Sequence, residues 1–107
     1  DRGDLPRARE YLHKSLSTAK RIKNANLLSS TLSNMGQVAL LAGNWADAIG
    51  YLEEGLAVAS TSGSNDQMAE TLCVLASAWM QTGNLERSEQ YLEQAQALTS
   101  TISHVTP

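Results

Sequence analysis

One fixed period constrains this chain more than any other feature. Gly3, Gly43 and Gly83 stand 40 residues apart, and each opens the same short segment: Gly3-Asp4, Ala8, Tyr11-Leu12; then Gly43-Asn44, Ala48, Tyr51-Leu52; then Gly83-Asn84, Ser88, Tyr91-Leu92. Seven residues before the second and third glycines a small residue, Gly36 or Ala76, interrupts an apolar pattern. Periods of about 20–50 residues mark repeat arrays, in which a helical unit buries its apolar face only against the next unit.

Apolar residues within each period recur at three- and four-residue steps, the spacing of an amphipathic helix. Leu5, Ala8, Leu12, Leu16, Ala19 and Ile22 form one stripe over 5–23, with Asp4 as N-cap and Pro6 in the first turn. Leu28, Leu32, Met35, Ala39 and Leu40 form a second, opened by the break at Asn24 and Asn26. Trp45, Ala48, Leu52, Leu56 and Ala59 form a third, completing a repeat over 27–61. Ser60 to Asn65 is turn chemistry, with Asn65 or Asp66 as the next cap. Met68, Leu72, Leu75, Ala76, Trp79 and Met80, then Leu85, Ser88, Leu92, Ala95 and Ile102, give a further repeat over 66–103. Both Gly-Asn corners are too short for anything but antiparallel helix hairpins. The expected class is all-α: a solenoid of five helices in a single array over 1–107, one half repeat plus two full ones. Trp45 and Trp79 fall on inward stripes and are expected in the core.

A glycine inside a helix costs up to about 1 kcal/mol relative to alanine. Close approach of the paired helix is the expected compensation at Gly36.

Composition narrows the function classes. The hydrophobic share of 42% suits a folded domain rather than a disordered one. No apolar run reaches the roughly 18 residues of a membrane span. The single cysteine, Cys73, has no internal disulfide partner, and Asn-x-Ser/Thr does not occur, so an intracellular setting, cytoplasmic or nuclear, is expected. Net charge is −3 but lopsided: residues 1–23 carry seven basic and three acidic residues, and the remainder carries Arg87 against eight acids. Such asymmetry fits an acidic partner or nucleic acid. With Tyr11 as the lone aromatic among the cations, a solvated helix face is the plainer reading, and a nucleic-acid partner is not expected.

These residues resemble the tetratricopeptide repeat family over essentially the whole chain. The family pattern sets a small residue near the middle of helix A, a Gly-Asp/Asn corner, and small residues near both ends of helix B. Gly36, Gly43-Asn44, Ala48 and Gly55 match it in one repeat, and Ala76, Gly83-Asn84, Ser88 and Ala95 in the next. Leu32 and Leu72 stand where the family usually has an aromatic, its closing proline is absent, and the period exceeds the usual 34 residues or so. Longer repeats of this sort look like those of kinesin light chains, spindle-orientation scaffolds and the repeat subunit of the cohesin loader. Ser33-Asn34-Met35-Gly36 is similar to the spindle group's Asn-Leu-Gly; a cell-cycle setting is what these narrower resemblances imply.

The resemblance implies a concave groove lined by the A helices, with Ser30, Ser33, Asn34, Gln37 and Leu41 facing it, followed by Glu70, Cys73, Val74, Ser77 and Gln81. From these, partner contacts are expected at Ser33, Asn34, Gln37, Leu41, Glu70, Cys73, Ser77 and Gln81. The Asn34 amide offers both donor and acceptor to an extended peptide backbone, although Val74 in the matching place breaks any asparagine ladder. The carboxylate grip of chaperone-binding members is not expected, because Ser33, Gln37, Cys73 and Ser77 bring no cation to the groove.

Catalysis has no foothold. His13 and His104 lie at opposite ends of the chain, without carboxylate, serine or cysteine at triad or metal spacing, and no cofactor or metal is expected. Cys73 reads more simply as a small packing residue than as a redox thiol. Leu98, Ile102 and Val105 keep the last stretch apolar, and no polar capping helix is visible. The chain is therefore expected to be a stretch of a longer superhelix. Two functions follow: a module that holds an extended or helical segment of a protein partner in the groove, or a structural stretch of a larger array whose partners bind elsewhere.

Overall fold

The computed structural model describes residues 4–62 and 64–103, with side chains over 6–62 and 64–99. Five helices account for nearly all of it: α1 (Asp4–Ile22), α2 (Ala25–Leu41), α3 (Trp45–Ser62), α4 (Asn65–Gln81) and α5 (Leu85–Ser103), with no strand among the described residues. Gly3, Arg2 and the Asp4 side chain, hence the expected first corner and cap, lie outside that description, as does His104.

The corners follow from local chemistry. Gly43 and Gly83 adopt φ of 81° and 89°, a left-handed conformation that costs glycine little. Each closes its helix in the same way. The Asn44 amide donates to the Ala39 carbonyl at 2.8 Å and the Gly43 amide to Leu40 at 3.0 Å; Asn84 to Trp79 and Gly83 to Met80 repeat the pattern at 3.0 Å each. Lys23 ends α1 with φ 56° and no glycine. Asn24 caps α2, its side chain accepting from the Leu27 amide at 3.0 Å. Ser64, rather than Asn65 or Asp66, caps α4: its backbone is still extended and its hydroxyl accepts from the Gln67 amide at 3.3 Å. Asn65 and Asp66 already lie in the helix.

Helices pair as α2 with α3 and α4 with α5, while α1 packs on α2 and α3 on α4. The backbones of α2 and α4 also approach each other, whereas among the described residues those of α1 and α3, or α3 and α5, do not. The array therefore curves, with α2 and α4 forming its inner layer. Leu52, Leu75 and Ala78 are fully buried at the centre, with Ile49, Leu56, Val74, Trp79 and Tyr91 packed around them. Serine hydroxyls bind across each pair at opposite ends: Ser29 donates to the Gly55 carbonyl at 3.1 Å, and Ser88 to Ala76 at 2.8 Å. Every member is buried, so each bond satisfies groups that water does not reach.

The expected stripes need four corrections, one of them at Met80, which is 53% exposed in the last turn of α4. Trp45 is 40% exposed, because it is the first residue of α3 and α2 ends at Leu41, leaving little of α2 alongside it. Ile22 is exposed at the end of α1. Among the described side chains of α5 only Ser88 and Ala95 are buried; Leu85 and Leu92 are exposed, Leu92 at the open face between α4 and α5.

Candidate functional site

The inner layer carries the candidate site. At the C-terminal ends of α2 and α4, the backbone of the Ala42-Gly43 corner and the side chains of Leu40, Leu41, Trp45, Ser77 and Gln81 surround one open notch. Leu41 is 77% exposed, which is unusual for a leucine, and it is the last residue of α2. Leu40, Leu41 and Trp45 give the notch an apolar wall, and Ser77 and Gln81 give it donors and acceptors. Asn34 is exposed and Gln37 half-buried, two turns and one turn earlier on α2.

The sequence-expected contacts other than Asn34 and Gln37 separate into three groups. Leu41, Ser77 and Gln81 meet in the notch. Ser33 does not face a groove. It is 2% exposed, its hydroxyl lies 2.9 Å from Thr71 Oγ1, and Gln67 Nε2 donates to it at 3.3 Å. The superhelical offset between α2 and α4 turns this position into an inter-repeat contact, so its expected exposure is corrected. Glu70 and Cys73 are exposed, but they line a different face with Leu92, Ala95 and Gln96, between α4 and α5. Val74 packs on the core, so Asn34 has no counterpart one repeat on.

Trp45 is the notch residue that sequence reasoning missed. The available signal was its position as the first residue after a Gly-Asn corner, where a helical side chain leans back over the corner rather than into the hairpin.

On the outer layer, the Arg87 guanidinium lies 5.0 Å from the centroid of the Trp79 ring, and the Tyr91 hydroxyl donates to Glu53 Oε2 at 3.0 Å, tying α5 to α3. Partial burial, followed by the bond to the Glu53 carboxylate, holds the Tyr91 phenol above its ordinary value of 10.0. The cations of α1 are exposed; Lys14 approaches Glu10 at 4.0 Å, a surface pair of small energetic worth. Among the described residues no cluster of His, Cys, Asp and Glu could hold a metal ion, and no helix is long and apolar enough to cross a membrane.

A helix-hairpin pairing scheme repeated every 40 residues, with α2 and α4 on the inner layer, defines a helix-hairpin solenoid. The chain belongs to the tetratricopeptide repeat family, whose sequence profile matches residues 1–61 and again 27–101. Among solved structures it is similar to the TPR domain of Arabidopsis FLU, with a TM-score of 0.83 at 18% identity, over 91% of this chain and 82% of that one. That likeness establishes the fold. No curated protein matches the sequence significantly. Members of the family generally serve as protein–protein interaction scaffolds and bind protein or peptide partners.

Proposed function

We propose that this chain is a non-catalytic interaction module that holds an extended or helical segment of a protein partner along the inner layer. The notch of Leu41, Trp45, Ser77 and Gln81 anchors that segment, and Gln37 and Asn34 contact it further along α2. The observation that carries this reading is the notch itself: the apolar side chains of Leu41 and Trp45 stand exposed beside the Gln81 amide and the Ser77 hydroxyl, on the layer where two repeats converge. An apolar side chain of the partner would fill the corner while its backbone engages the amides of Gln37, Gln81 and Asn34. An intracellular setting, cytoplasmic or nuclear, accords with the lone thiol of Cys73.

The test is capture of partners from lysate by the wild type, by Asn34→Ala with Gln37→Ala, and by Leu41→Ala with Gln81→Ala, each variant of confirmed helicity. Partners lost from both variants support the groove; an unchanged set of partners rejects it.

A second reading has one observation in its favour. A shift of 40 residues carries Ser30 and Ser33, which meet Gln67 and Thr71 of α4, onto Glu70 and Cys73, which lie on an open face. A further helix of the parent protein docked on that face would make this chain a structural stretch of a larger array. Burial of a label placed on Cys73 within the longer protein, but not in the isolated chain, would favour it.

A further inference from the structure

Lys23 ends α1 as Gly43 ends α2 and Gly83 ends α4, but with a side chain. It turns left-handed like the two glycines, with φ 56°. The closing bonds match as well: the Lys23 amide donates to the Lys20 carbonyl at 3.4 Å and the Asn24 amide to Ala19 at 3.2 Å. A lysine is strained in that conformation and a glycine is not. Forty residues on, the sequence has Gly63 where Lys23 stands, and Ser60 and Thr61 where Lys20 and Arg21 stand. Cations at a helix C-terminus suit its dipole, but Lys20 and Arg21 already supply them. The dipole therefore does not account for a lysine at the strained position.

Lys23 borders an open cleft of about 370 Å3 between the ends of α1 and α3 and the start of α2. Ala19, Ala25, Leu28 and Val58 make the cleft apolar, Lys20 and Lys23 stand on its rim, and no acidic residue lines it. Lys20, Arg21 and Lys23 are exposed, and among the described residues none of the three is in an ion pair.

We propose that this cleft is a second binding site, which takes an acidic segment of a protein partner. An apolar side chain of the segment enters the cleft, and neighbouring Asp or Glu carboxylates pair with Lys20 and Lys23. Charge complementarity selects the occupant, because unpaired cations crowd one edge of the cleft and no acid offsets them. The apolar lining separates a protein segment from a nucleic acid: phosphates gain nothing from Leu28 and Val58, and no aromatic lines the cleft to stack a base. A concave site between helix ends suits an inserted side chain rather than the flat surface of a bilayer. The cleft lies at the start of α2 and the notch of Leu41 and Trp45 at its end, so either site can fail without the other.

Titration of the isotope-labelled chain with the blocked peptide acetyl-Glu-Asp-Leu-Asp-Glu-amide, followed by amide chemical shifts, tests this directly. Saturable shifts are expected at Ala19, Lys23, Ala25 and Val58, with a dissociation constant of about 0.1–1 mM. Binding is expected to weaken as ionic strength rises from about 0.03 to about 0.3 M. Replacing the acids of the peptide by Gln, or its leucine by Gly, is expected to weaken binding at least about fivefold. At about 0.15 M salt, Lys20→Glu with Lys23→Glu is expected to weaken it at least about tenfold. The same charge change far along α1, Arg7→Glu with Arg9→Glu, is expected to matter less than about threefold. Lys23→Gly separates binding from folding: its urea midpoint is expected to match or exceed that of the wild type while binding weakens about threefold. No saturable shift at the cleft, equal losses from the two double variants, or a lowered urea midpoint in Lys23→Gly would each overturn the proposal. So would tighter binding of single-stranded oligothymidine, or of phosphatidylserine vesicles, at the same residues.

Discussion

Gly36 of α2 lies so close to Leu52 of α3 that a Cβ on the glycine would sit 2.5 Å from Leu52 Cγ and 2.6 Å from Cδ2. Leu52 is fully buried and has no room to withdraw. Helix propensity alone would make Gly36→Ala stabilising by up to about 1 kcal/mol. Overpacking at this contact costs about 1–3 kcal/mol, so a net loss of about 1 kcal/mol is expected, and Gly36→Leu is expected to abolish the hairpin. The urea midpoint of each variant measures this; a stabilised Gly36→Ala would show that the helices have slack.

The pairing of Ser33 with Thr71 makes a related prediction about stacking. Ser33→Ala leaves the Thr71 hydroxyl and the Gln67 amide short of a buried partner and is expected to cost about 1–2 kcal/mol. In a double-mutant cycle with Thr71→Val, a coupling of about 0.5–1.5 kcal/mol is expected from denaturation curves. Independent, additive effects would mean that the two hydroxyls do not hold α2 against α4.

Trp79 bridges the outer layer. Trp79→Ala is expected to cost about 2–4 kcal/mol, below the full value for a buried tryptophan because the ring keeps some exposure. Arg87→Ala removes the stacked cation and is expected to cost only about 0.5–1 kcal/mol. Thermal unfolding separates the two; equal losses would assign Arg87 a role that its exposure does not explain.

Alkaline pH probes Tyr91. Its folded-state pKa is raised, so the folded chain holds the phenolic proton more tightly than the unfolded chain does. The associated stability is complete below the unfolded value of about 10 and is lost as pH rises through the folded value. Wild-type stability is expected to fall more steeply above about pH 10 than that of Tyr91→Phe, read as urea midpoints across that range. Parallel curves would contradict a Tyr91–Glu53 bond in solution.

Much of this fold is legible in the sequence, because its causes are local. Gly43 and Gly83 mark left-handed corners, and three- and four-residue apolar spacing marks the helices between them. What was not legible depends on how helices 40 residues apart are offset. The sequence places Ser33 and Gln37 alike on α2, and only the approach of α4 decides that Ser33 is sealed by Thr71 while Gln37 stays partly open. Leu92 repeats the buried Leu52 residue for residue, yet it is exposed because no described helix covers α5 as α4 covers α3. Trp45 has the apolarity of a core residue, but it extends past the last turn of its partner helix.

The most direct test of the groove is site-specific photocrosslinking of the protein in cells. A photoreactive side chain is placed at Gln37 or Ser77 on the inner layer, and at Glu89 or Glu93 on α5 in the outer layer. Covalent adducts with the same protein partner from both inner positions, and with none from α5, are the predicted result. Adducts formed from the α5 positions and absent from Gln37 and Ser77 would contradict a partner-binding groove on α2 and α4.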